Sequence, residues 1–326
     1  MLINQDFTWD RSHFLGGSDI GAILGFSKYR TPLAVWMEKT GKSKPFMGNL
    51  ANRFGHFNEA FVASEYVYAT GYHLREYSDA ITHPEHPYFC AHIDRLICDP
   101  KQHINEDENP SGAILKNALG VLECKTANPF AKGDWGEPGT DQVPLPYLCQ
   151  CLWYLFITQL PKADLAVLFG NSDFAIYAIT KDIELETLIV QKALHFWQEY
   201  VLKDLPPPTQ TEDDCIILFK NSTPKLTKEA NSEITQEIQK LLELNAQIKE
   251  SELQVSELKQ RVMNYLQDAD TLTYKDQILA TWKSTIPARR FDSKGFATKH
   301  PELYEQFVIT GQSTRRFVLK GGETHA

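Results

Sequence analysis

Apolar and polar positions alternate along the first two hundred residues with two different periods, which indicates helices and strands in succession. Apolar residues three or four apart predict helices, and every-second-residue alternation predicts strands. The predicted helices are 32–40, 53–70, 146–158 and 183–202, and the predicted strands are 88–98, 120–126, 164–169 and 174–180. This order predicts an α/β fold whose last two strands form a hairpin turned at residues 170–173.

Two of these helices have clear apolar faces. In helix 53–70 the face consists of Phe54, Phe57, Phe61, Val62 and Tyr66. In helix 183–202 the residues expected to point inward are Leu185, Leu188, Ile189, Leu194 and Trp197. Faces of this kind normally pack against the sheet.

A proline-rich segment divides the chain. Three consecutive prolines, Pro206 to Pro208, forbid a continuing helix, and the acidic residues that follow stay solvated. We therefore divide the chain into a domain at 1–205, a linker at 206–230 and a helical, partly β extension at 231–326.

The C-terminal extension begins with a helical pattern over residues 231–267. Its apolar stripe has a 3–4 spacing that Asn245, Glu252 and Lys259 interrupt, so we favour packing on the neighbouring domain over an extended dimeric zipper. Residues 271–320 then contain nine Lys or Arg, including two Arg pairs among aromatic residues, and four Asp or Glu. That window suits contact with a nucleic-acid backbone, and a solvated charged face explains it equally well.

Composition restricts the class of protein. The chain has 326 residues, of which 42% are hydrophobic, enough for one large domain or two ordinary ones. Its net charge of −9 argues against a passive nucleic-acid coat but permits an enzyme whose carboxylates hold metal ions. Six cysteines without a CxxC pair predict reduced, buried thiols. Without a signal peptide or a bilayer-spanning apolar run, we expect a soluble, cytoplasmic protein.

An acid and a lysine share one face of an apolar strand. Glu123 and Lys125 are two residues apart, and burying such a pair is costly unless it has a task. Asp94 lies in another apolar strand and can approach Glu123 if the two strands pair; its alternatives are an ion pair with Arg95 or a role in a turn. Two carboxylates and the backbone carbonyl of Cys124 suit Mg²⁺, and the lysine can orient or activate water.

Two helices supply further candidates. Glu59 on helix 53–70 can reach the cleft that would contain this metal site, or it can face solvent; the helical pattern allows both. Gln150 and Tyr154 are four residues apart on an otherwise apolar helix and share one face. A buried amide and phenol need hydrogen-bond partners, which the carboxylates and a phosphate could provide; a polar tether within the core is the alternative.

These elements are weak signals singly but specific as an ordered set. A helical Glu, a strand Asp, a strand E-x-K and a helical Q-x-x-x-Y follow one another as they do in the PD-(D/E)xK nucleases. From about Trp9 to Leu205 the chain resembles the YqaJ-like viral recombinases, the family that includes lambda exonuclease. The opening segment carries the resemblance further, through Arg11, Gly16-Gly17-Ser18-Asp19-Ile20-Gly21, Tyr29-Arg30-Thr31-Pro32 and Lys39-Thr40-Gly41.

The resemblance implies a restriction-endonuclease-like PD-(D/E)xK core, a central mixed sheet flanked by helices. Asp94, Glu123 and the carbonyl of Cys124 would hold two Mg²⁺ ions, for which Mn²⁺ can substitute. The whole catalytic set implied in this way is Glu59, Asp94, Glu123, Lys125, Gln150 and Tyr154.

The resemblance also implies a 5′-phosphate site. Arg11 and Ser18 match, in type and separation, the arginine and serine that hold this phosphate in lambda exonuclease, and Arg30 joins them as a DNA-binding residue. The alternative for Ser18 is the N-cap of a helix over 20–24. Both roles can coexist, because a helix N-terminus attracts phosphate.

The activity implied is a Mg²⁺-dependent 5′→3′ exonuclease that digests one strand of linear double-stranded DNA and leaves a 3′ tail. By the same resemblance, the protein would form a trimeric ring, pass the tail to a single-strand annealing protein, and belong to a phage or prophage in a bacterial host. Three features depart from the family pattern. Ile93 replaces a proline, 99–119 is a long polar insertion, and 231–326 has no counterpart in the short lambda-type enzymes.

Two other functions stay open on the sequence alone. An endonuclease with the same metal core would cut circular or branched DNA. A non-catalytic scaffold that binds DNA ends would rely on the basic window. A zinc module of Cys90, His92 and Cys98 with His83 or His86 lacks recognisable ligand spacing.

Overall fold

The chain forms two compact units, of which the first ends at Leu218 and the second begins at Phe219. The computed structural model describes residues 11–44, 48–77, 79–101, 117–311 and 314–320. The helices of the first unit are α1 (Gly17–Ile23), α2 (Pro32–Lys39), α3 (Leu50–Thr70), α4 (Leu145–Thr158), α5 (Ile183–His195) and α6 (Glu212–Leu218).

A five-stranded mixed sheet forms the centre of the first unit. Its order is β1-β4-β5-β6-β7, and β2 and β3 form a separate antiparallel pair. The pairs β1–β4, β4–β5 and β6–β7 are antiparallel, whereas β5 and β6 are parallel. The strands are β1 (His73–Glu76), β2 (Ile81–Thr82), β3 (Cys90–Ala91), β4 (Arg95–Cys98), β5 (Ala118–Ala127), β6 (Lys162–Phe169) and β7 (Asp173–Thr180).

The connections follow from strand direction. Parallel strands need a crossover, and α4 lies between β5 and β6 in the chain. The predicted hairpin of β6 and β7 is confirmed, and Gly170 adopts a φ of 65° at its turn, where a residue with a side chain would be strained. A Cβ at Gly170 would also lie 2.6 Å from Cγ of Pro129.

Helices cover both faces of the sheet, so the predicted α/β fold with a central mixed sheet is confirmed. Val121 and Leu165 belong to the main core with residues of α4 such as Trp153. Leu122, on the other face, belongs to a smaller core with Tyr66 of α3. Alternate residues of β5 therefore pack on opposite layers, as strand geometry requires.

The apolar face predicted for helix 53–70 is partly wrong. Phe54, Phe57 and Phe61 are exposed, Phe57 to 84%, whereas Val62 and Tyr66 are buried. The same holds for α5, where Leu185 and Leu188 are exposed and the inward face contains Ile189, Ala193, Phe196 and Trp197. That helix continues as a π-helical turn at Phe196–Val201.

The predicted strand 88–98 is interrupted. It consists of β3 and β4, and Asp94 occupies the bend directly before β4 rather than a strand position. The alternative considered for Ser18, the N-cap of a helix over 20–24, is wrong: α1 begins at Gly17, so Ser18 lies inside the helix and Gly16 is its N-cap.

The segment predicted as a linker, 206–230, contains α6, which belongs to the first unit. Buried Asp214 anchors it by accepting hydrogen bonds from Thr31 Oγ1 at 2.7 Å and from the backbone N–H of Gln210 at 2.9 Å. Prolines therefore end one helix without ending the packed unit.

The second unit contains one long helix and a small hairpin. Its elements are α7 (Ser232–Leu266), β8 (Thr271–Tyr274), β9 (Gln277–Thr281), α8 (Ser293–Lys299) and α9 (Pro301–Gln306). Within the described ranges of the whole chain, no helix is both long and apolar enough to cross a membrane.

Candidate active site

The sheet brings two carboxylates and a lysine together. Arg95 of β4 pairs with Leu122 of β5 in antiparallel register, so Asp94 lies next to Glu123. The backbone N–H of Cys124 donates to Asp94 Oδ2 at 2.7 Å, which fixes the aspartate against β5. The expected pairing with the E-x-K strand is therefore present, although it is made by β4, which begins directly after Asp94.

Glu123 is almost completely buried, with 2% of its surface exposed. Its Oε1 accepts hydrogen bonds from Lys125 Nζ and, at 2.6 Å, from Gln150 Nε2. The same amide nitrogen of Gln150 donates to Tyr154 Oη at 2.8 Å. Glu123 Oε2 is buried and has no hydrogen-bond partner, which is costly unless a ligand completes it.

Burial and neighbouring charges shift the pKa values of Glu123 and Lys125. Burial, followed by the nearby Asp94 carboxylate, raises the pKa of Glu123 to about 8. Burial alone would lower the pKa of Lys125, but Glu123 and Asp94 outweigh it and raise that pKa above its usual value. Lys125 therefore stays a cation at neutral pH.

Glu59 of α3 contributes a third carboxylate at the edge of the cluster. Its Oε1 lies 2.8 Å from His56 Nδ1, and its side chain is about one-third exposed. Burial and the charge of Asp94 raise the pKa of Glu59, an effect that requires the two carboxylates to be close in space. The Glu59 side chain is therefore partly buried and close enough to Asp94 to feel its charge.

The donors of this cluster fit a hard divalent cation. Within the described residues, no group of three or more His, Cys, Asp or Glu side chains could hold a metal alone, the proposed zinc set included. Mg²⁺ commonly takes one or two carboxylates and completes its shell with water and phosphate oxygens. Asp94 and the unpartnered Oε2 of Glu123 supply those carboxylates. The N–H and the carbonyl of Cys124 point to the same edge of β5, the edge on which the N–H donates to Asp94.

A second polar cluster surrounds Asp19, which is completely buried on α1. Its Oδ1 contacts Arg30 Nη1 at 2.6 Å and Arg11 Nη2 at 3.4 Å, and its Oδ2 contacts Lys39 Nζ at 2.8 Å. Oδ2 also accepts a hydrogen bond from the N–H of Gly16 at 3.0 Å, which caps α1. Burial by itself raises the pKa of Asp19. The positive charges of Lys39, Arg30 and Arg11 outweigh burial and hold this pKa well below its usual range.

This cluster presents an arginine and a hydroxyl at its open side. Arg11 Nη2 donates to Ser18 Oγ at 2.9 Å, and about half of the Arg11 side chain is exposed. Glu38 adds a second carboxylate by pairing with Arg30. Three cations thus face two anions, so the cluster has an excess positive charge that favours an anionic ligand.

Gly17 joins the two clusters. A Cβ at this position would lie 2.7 Å from Cε1 of Tyr154 and 3.0 Å from Cγ of Gln150. Only glycine lets α1 approach α4 this closely. Ser18 therefore lies one residue after the contact with Gln150, which holds Glu123.

Sequence reasoning missed several residues that build these clusters. Asp19 and Lys39 stood inside the segments that carried the family resemblance, but nothing in their spacing showed that both are buried and paired. Glu38 and Tyr147 were also missed; the ring of Tyr147 has Lys125 Nζ 5.7 Å from its centroid. A buried lysine seldom occurs without a partner, but its partner becomes evident only in the folded chain.

The sheet and its flanking helices define an α/β protein built around a central mixed sheet. Residues 6–161 match the family model of the YqaJ-like viral recombinase domain. This segment is a little under half of the chain, and over it the resemblance noted in the motifs is confirmed.

One curated protein and two solved structures are among those that this chain is similar to. The uncharacterised protein YqaJ of Bacillus subtilis (strain 168) is 27% identical over 98% of this chain and 95% of its own length. An alkaline exonuclease (LHK-Exo) from Laribacter hongkongensis has 17% identity and a TM-score of 0.45, covering 59% of this chain and 90% of its own. A phage-related exonuclease from Haemophilus somnus 129PT has 13% identity and a TM-score of 0.39, covering 59% and 96%.

Proposed function

We propose that the protein is a Mg²⁺-dependent 5′→3′ exodeoxyribonuclease that acts on the ends of double-stranded DNA. The observation that carries the proposal is the buried Glu123 Oε2, which has no partner and lies beside Asp94 and the cationic Lys125. Two neighbouring carboxylates and a lysine are costly to bury in a fold without a divalent cation and a phosphodiester to bind.

Asp94, Glu123 and the carbonyl of Cys124 would hold the metal. Bound Mg²⁺ supplies charge that stabilises the attacking and leaving oxygens of an in-line displacement at phosphorus. In that reaction water forms the new bond to phosphorus and the bond to the 3′ oxygen breaks. The released nucleotide keeps its 5′-phosphate, and the shortened strand again ends in a 5′-phosphate.

The other residues of the set orient the reactants. Because its pKa is raised, Lys125 is a cation that positions the water and offsets developing negative charge rather than removing the proton. Gln150 holds Glu123 Oε1 and is itself bonded to Tyr154, so the carboxylate keeps one orientation. Glu59 lies at the edge of the cleft, where it can bind a water of the metal shell.

The Asp19 cluster explains the proposed polarity. Arg11, Ser18 and Arg30 would bind the terminal 5′-phosphate, and Asp19 holds both arginines in position. Arginine suits this task because its planar group donates several hydrogen bonds to phosphate oxygens. Since each cleavage regenerates a 5′-phosphate, one site can serve every cycle.

The biological role follows from the family. We propose that the enzyme produces 3′ single-stranded tails for phage-type recombination, in the cytoplasm of a bacterial host, and passes them to a single-strand annealing protein. A homo-oligomeric ring around the duplex, trimeric by the family resemblance, would keep the enzyme on its substrate. The family named for viral recombinases supports this role.

The test uses three DNA substrates with and without Mg²⁺. Linear duplex with labelled 5′-phosphates should release labelled mononucleotides only with Mg²⁺ or Mn²⁺, while a 3′-labelled strand shortens from its other end. Covalently closed plasmid should stay intact. Nicking of the plasmid would support the endonuclease instead, and binding of ends without cleavage would support the non-catalytic scaffold.

A further inference from the structure

Two segments of the first unit run side by side toward the two polar clusters. A parallel β-bridge joins Leu15 to Phe89, and the N–H of Cys90 donates to the carbonyl of Leu15 at 2.9 Å. Parallel segments leave such a bridge in the same direction. One segment therefore leads into α1, which carries Ser18, while the other leads toward Asp94.

His92 lies on the second of these segments, beside the residues of the proposed phosphate site. Its ring centroid is 5.9 Å from that of Phe14, whose ring has Lys39 Nζ 5.5 Å from its centroid. Burial, followed by the positive charge of Arg11, lowers the pKa of His92, and the second effect requires the guanidinium and the imidazole to be close in space. Asp94 follows two residues later in the chain, so His92 lies between the two clusters.

Packing of the neighbouring residue directs the His92 side chain away from the core. Ile93 is 5% exposed and belongs to the main core, whereas His92 is exposed and Asp94 is half-buried. Successive side chains of an extended backbone point in opposite directions. The side chains of His92 and Asp94, on either side of Ile93, are therefore both turned to the side of the segment that is open to a substrate.

Under the proposed nuclease function, on which this inference rests, Arg11 and Ser18 bind the terminal 5′-phosphate and the metal at Asp94 binds the scissile phosphate. One nucleotide lies between these two phosphates, just as His92 lies between the two sites. We propose that the imidazole ring of His92 stacks on the base of this terminal nucleotide and holds it after it has left its pair.

An aromatic face suits this task. A nucleotide that is released singly from a duplex has to leave its pair, and the exposed base then needs a surface. Every base has a π-face, so stacking on an aromatic side chain tolerates any sequence, as digestion of natural DNA requires. The ring of Phe14, which is buried, packs against the imidazole and limits its movement.

The experiment is a double-mutant cycle between His92 and the terminal base. Two 5′-phosphorylated duplexes are compared, one with a normal and one with an abasic terminal nucleotide, and their affinities are measured with Ca²⁺ in place of Mg²⁺. The parent should bind the abasic end about tenfold more weakly than the normal end. His92→Ala should bind the normal end about tenfold more weakly than the parent does, with no further loss on the abasic end. His92→Phe, which keeps an aromatic face, should restore most of the affinity.

His73→Ala is the matched control. His73 is an exposed histidine of β1 that pairs with Cys98, at the end of β4 that is remote from Asp94. This variant should bind both ends as the parent does. Losses that add in the cycle, equal losses in the two alanine variants, or a His92→Phe protein as weak as His92→Ala would overturn the stacking proposal alone. A parent that neither binds nor digests DNA ends would overturn the nuclease function and the stacking proposal together.

Discussion

At the scale of single residues, the candidate site follows from alternation on one strand. Glu123 and Lys125 had to share a face of β5, and they do. Gln150 donates to Glu123, one of the carboxylate partners that the sequence left open for it. The hydrogen bond from the Cys124 N–H to Asp94 could not be predicted from spacing. The sequence placed Asp94 inside a strand, but it lies in a bend that frees its carboxylate to turn toward β5. Bends of this kind depend on contacts between segments far apart in the chain.

The first prediction compares two lysines of the same sheet. Lys125 pairs with Glu123 in the site, and Lys162 pairs with Asp164, on the other face, at 2.9 Å. Lys125→Ala should lower the cleavage rate by about 100-fold or more, because it removes the cation that orients water. Lys162→Ala loses a similar ion pair and should keep nearly full activity. Unchanged activity in a folded Lys125→Ala protein would dispose of the assignment.

The second prediction concerns Arg11. Arg11→Ala should weaken digestion of 5′-phosphorylated duplex by about tenfold or more, since a charge-assisted contact to phosphate contributes roughly 1.5–3 kcal/mol. Digestion of 5′-hydroxyl ends should change much less. Lys42, an exposed cation paired with Asp204, provides the control as Lys42→Ala. Equal losses on both kinds of end would contradict a terminal phosphate site at Arg11.

At the scale of elements, strong patterns predicted the α/β order and the β6–β7 hairpin, and weaker ones failed. Phe54, Phe57 and Phe61 marked the wrong side of α3, because a row of aromatic residues does not tell which side meets the sheet. The side that does contains Val62 and Tyr66, whose hydroxyl donates to buried Asp164 at 2.5 Å. The buried Asp19–Lys39 pair was beyond prediction because α1 and α2 meet only in the folded unit.

The close approach of α1 to α4 leads to a third prediction. Gly17→Ala places a methyl group 2.7 Å from the Tyr154 ring and should push the two helices apart. Overpacking of this kind costs about 1–3 kcal/mol, and activity should fall because both clusters move. Gly133→Ala, which meets no atom within 4 Å, should change neither stability nor activity. Urea unfolding and the cleavage assay give both readouts.

A fourth prediction concerns the stability that Asp19 contributes to the fold and its loss at acidic pH. The folded pKa of Asp19 lies below its unfolded value of about 3.9, so its stabilising effect is present above that pH and declines as pH falls through the acid range. Asp19→Asn leaves buried cations uncompensated and should cost about 3–5 kcal/mol at pH 7. The stability of the variant should then fall less steeply between pH 5 and 3 than that of the parent. Asp173→Asn, which breaks an exposed pair with Lys132, is the control; equal slopes in parent and Asp19→Asn would contradict the prediction.

At the scale of the whole molecule, the candidate active site belongs to one of the two units. The first unit contains both polar clusters, joined through Gly17, and matches the family over most of its length. The second unit contains the long helix α7 and the hairpin of β8 and β9, and it holds none of the candidate active-site residues.

The central claim is that Asp94 and Glu123 hold a divalent cation, and crystals soaked in Mn²⁺ test it most directly. Anomalous scattering locates the ion without reference to activity. The account predicts a peak about 2.0–2.3 Å from a carboxylate oxygen of Asp94, from Glu123 Oε2 and from the carbonyl oxygen of Cys124, absent in Glu123→Gln. A parent protein that binds Mn²⁺ elsewhere, or not at all at saturating concentration, would contradict it.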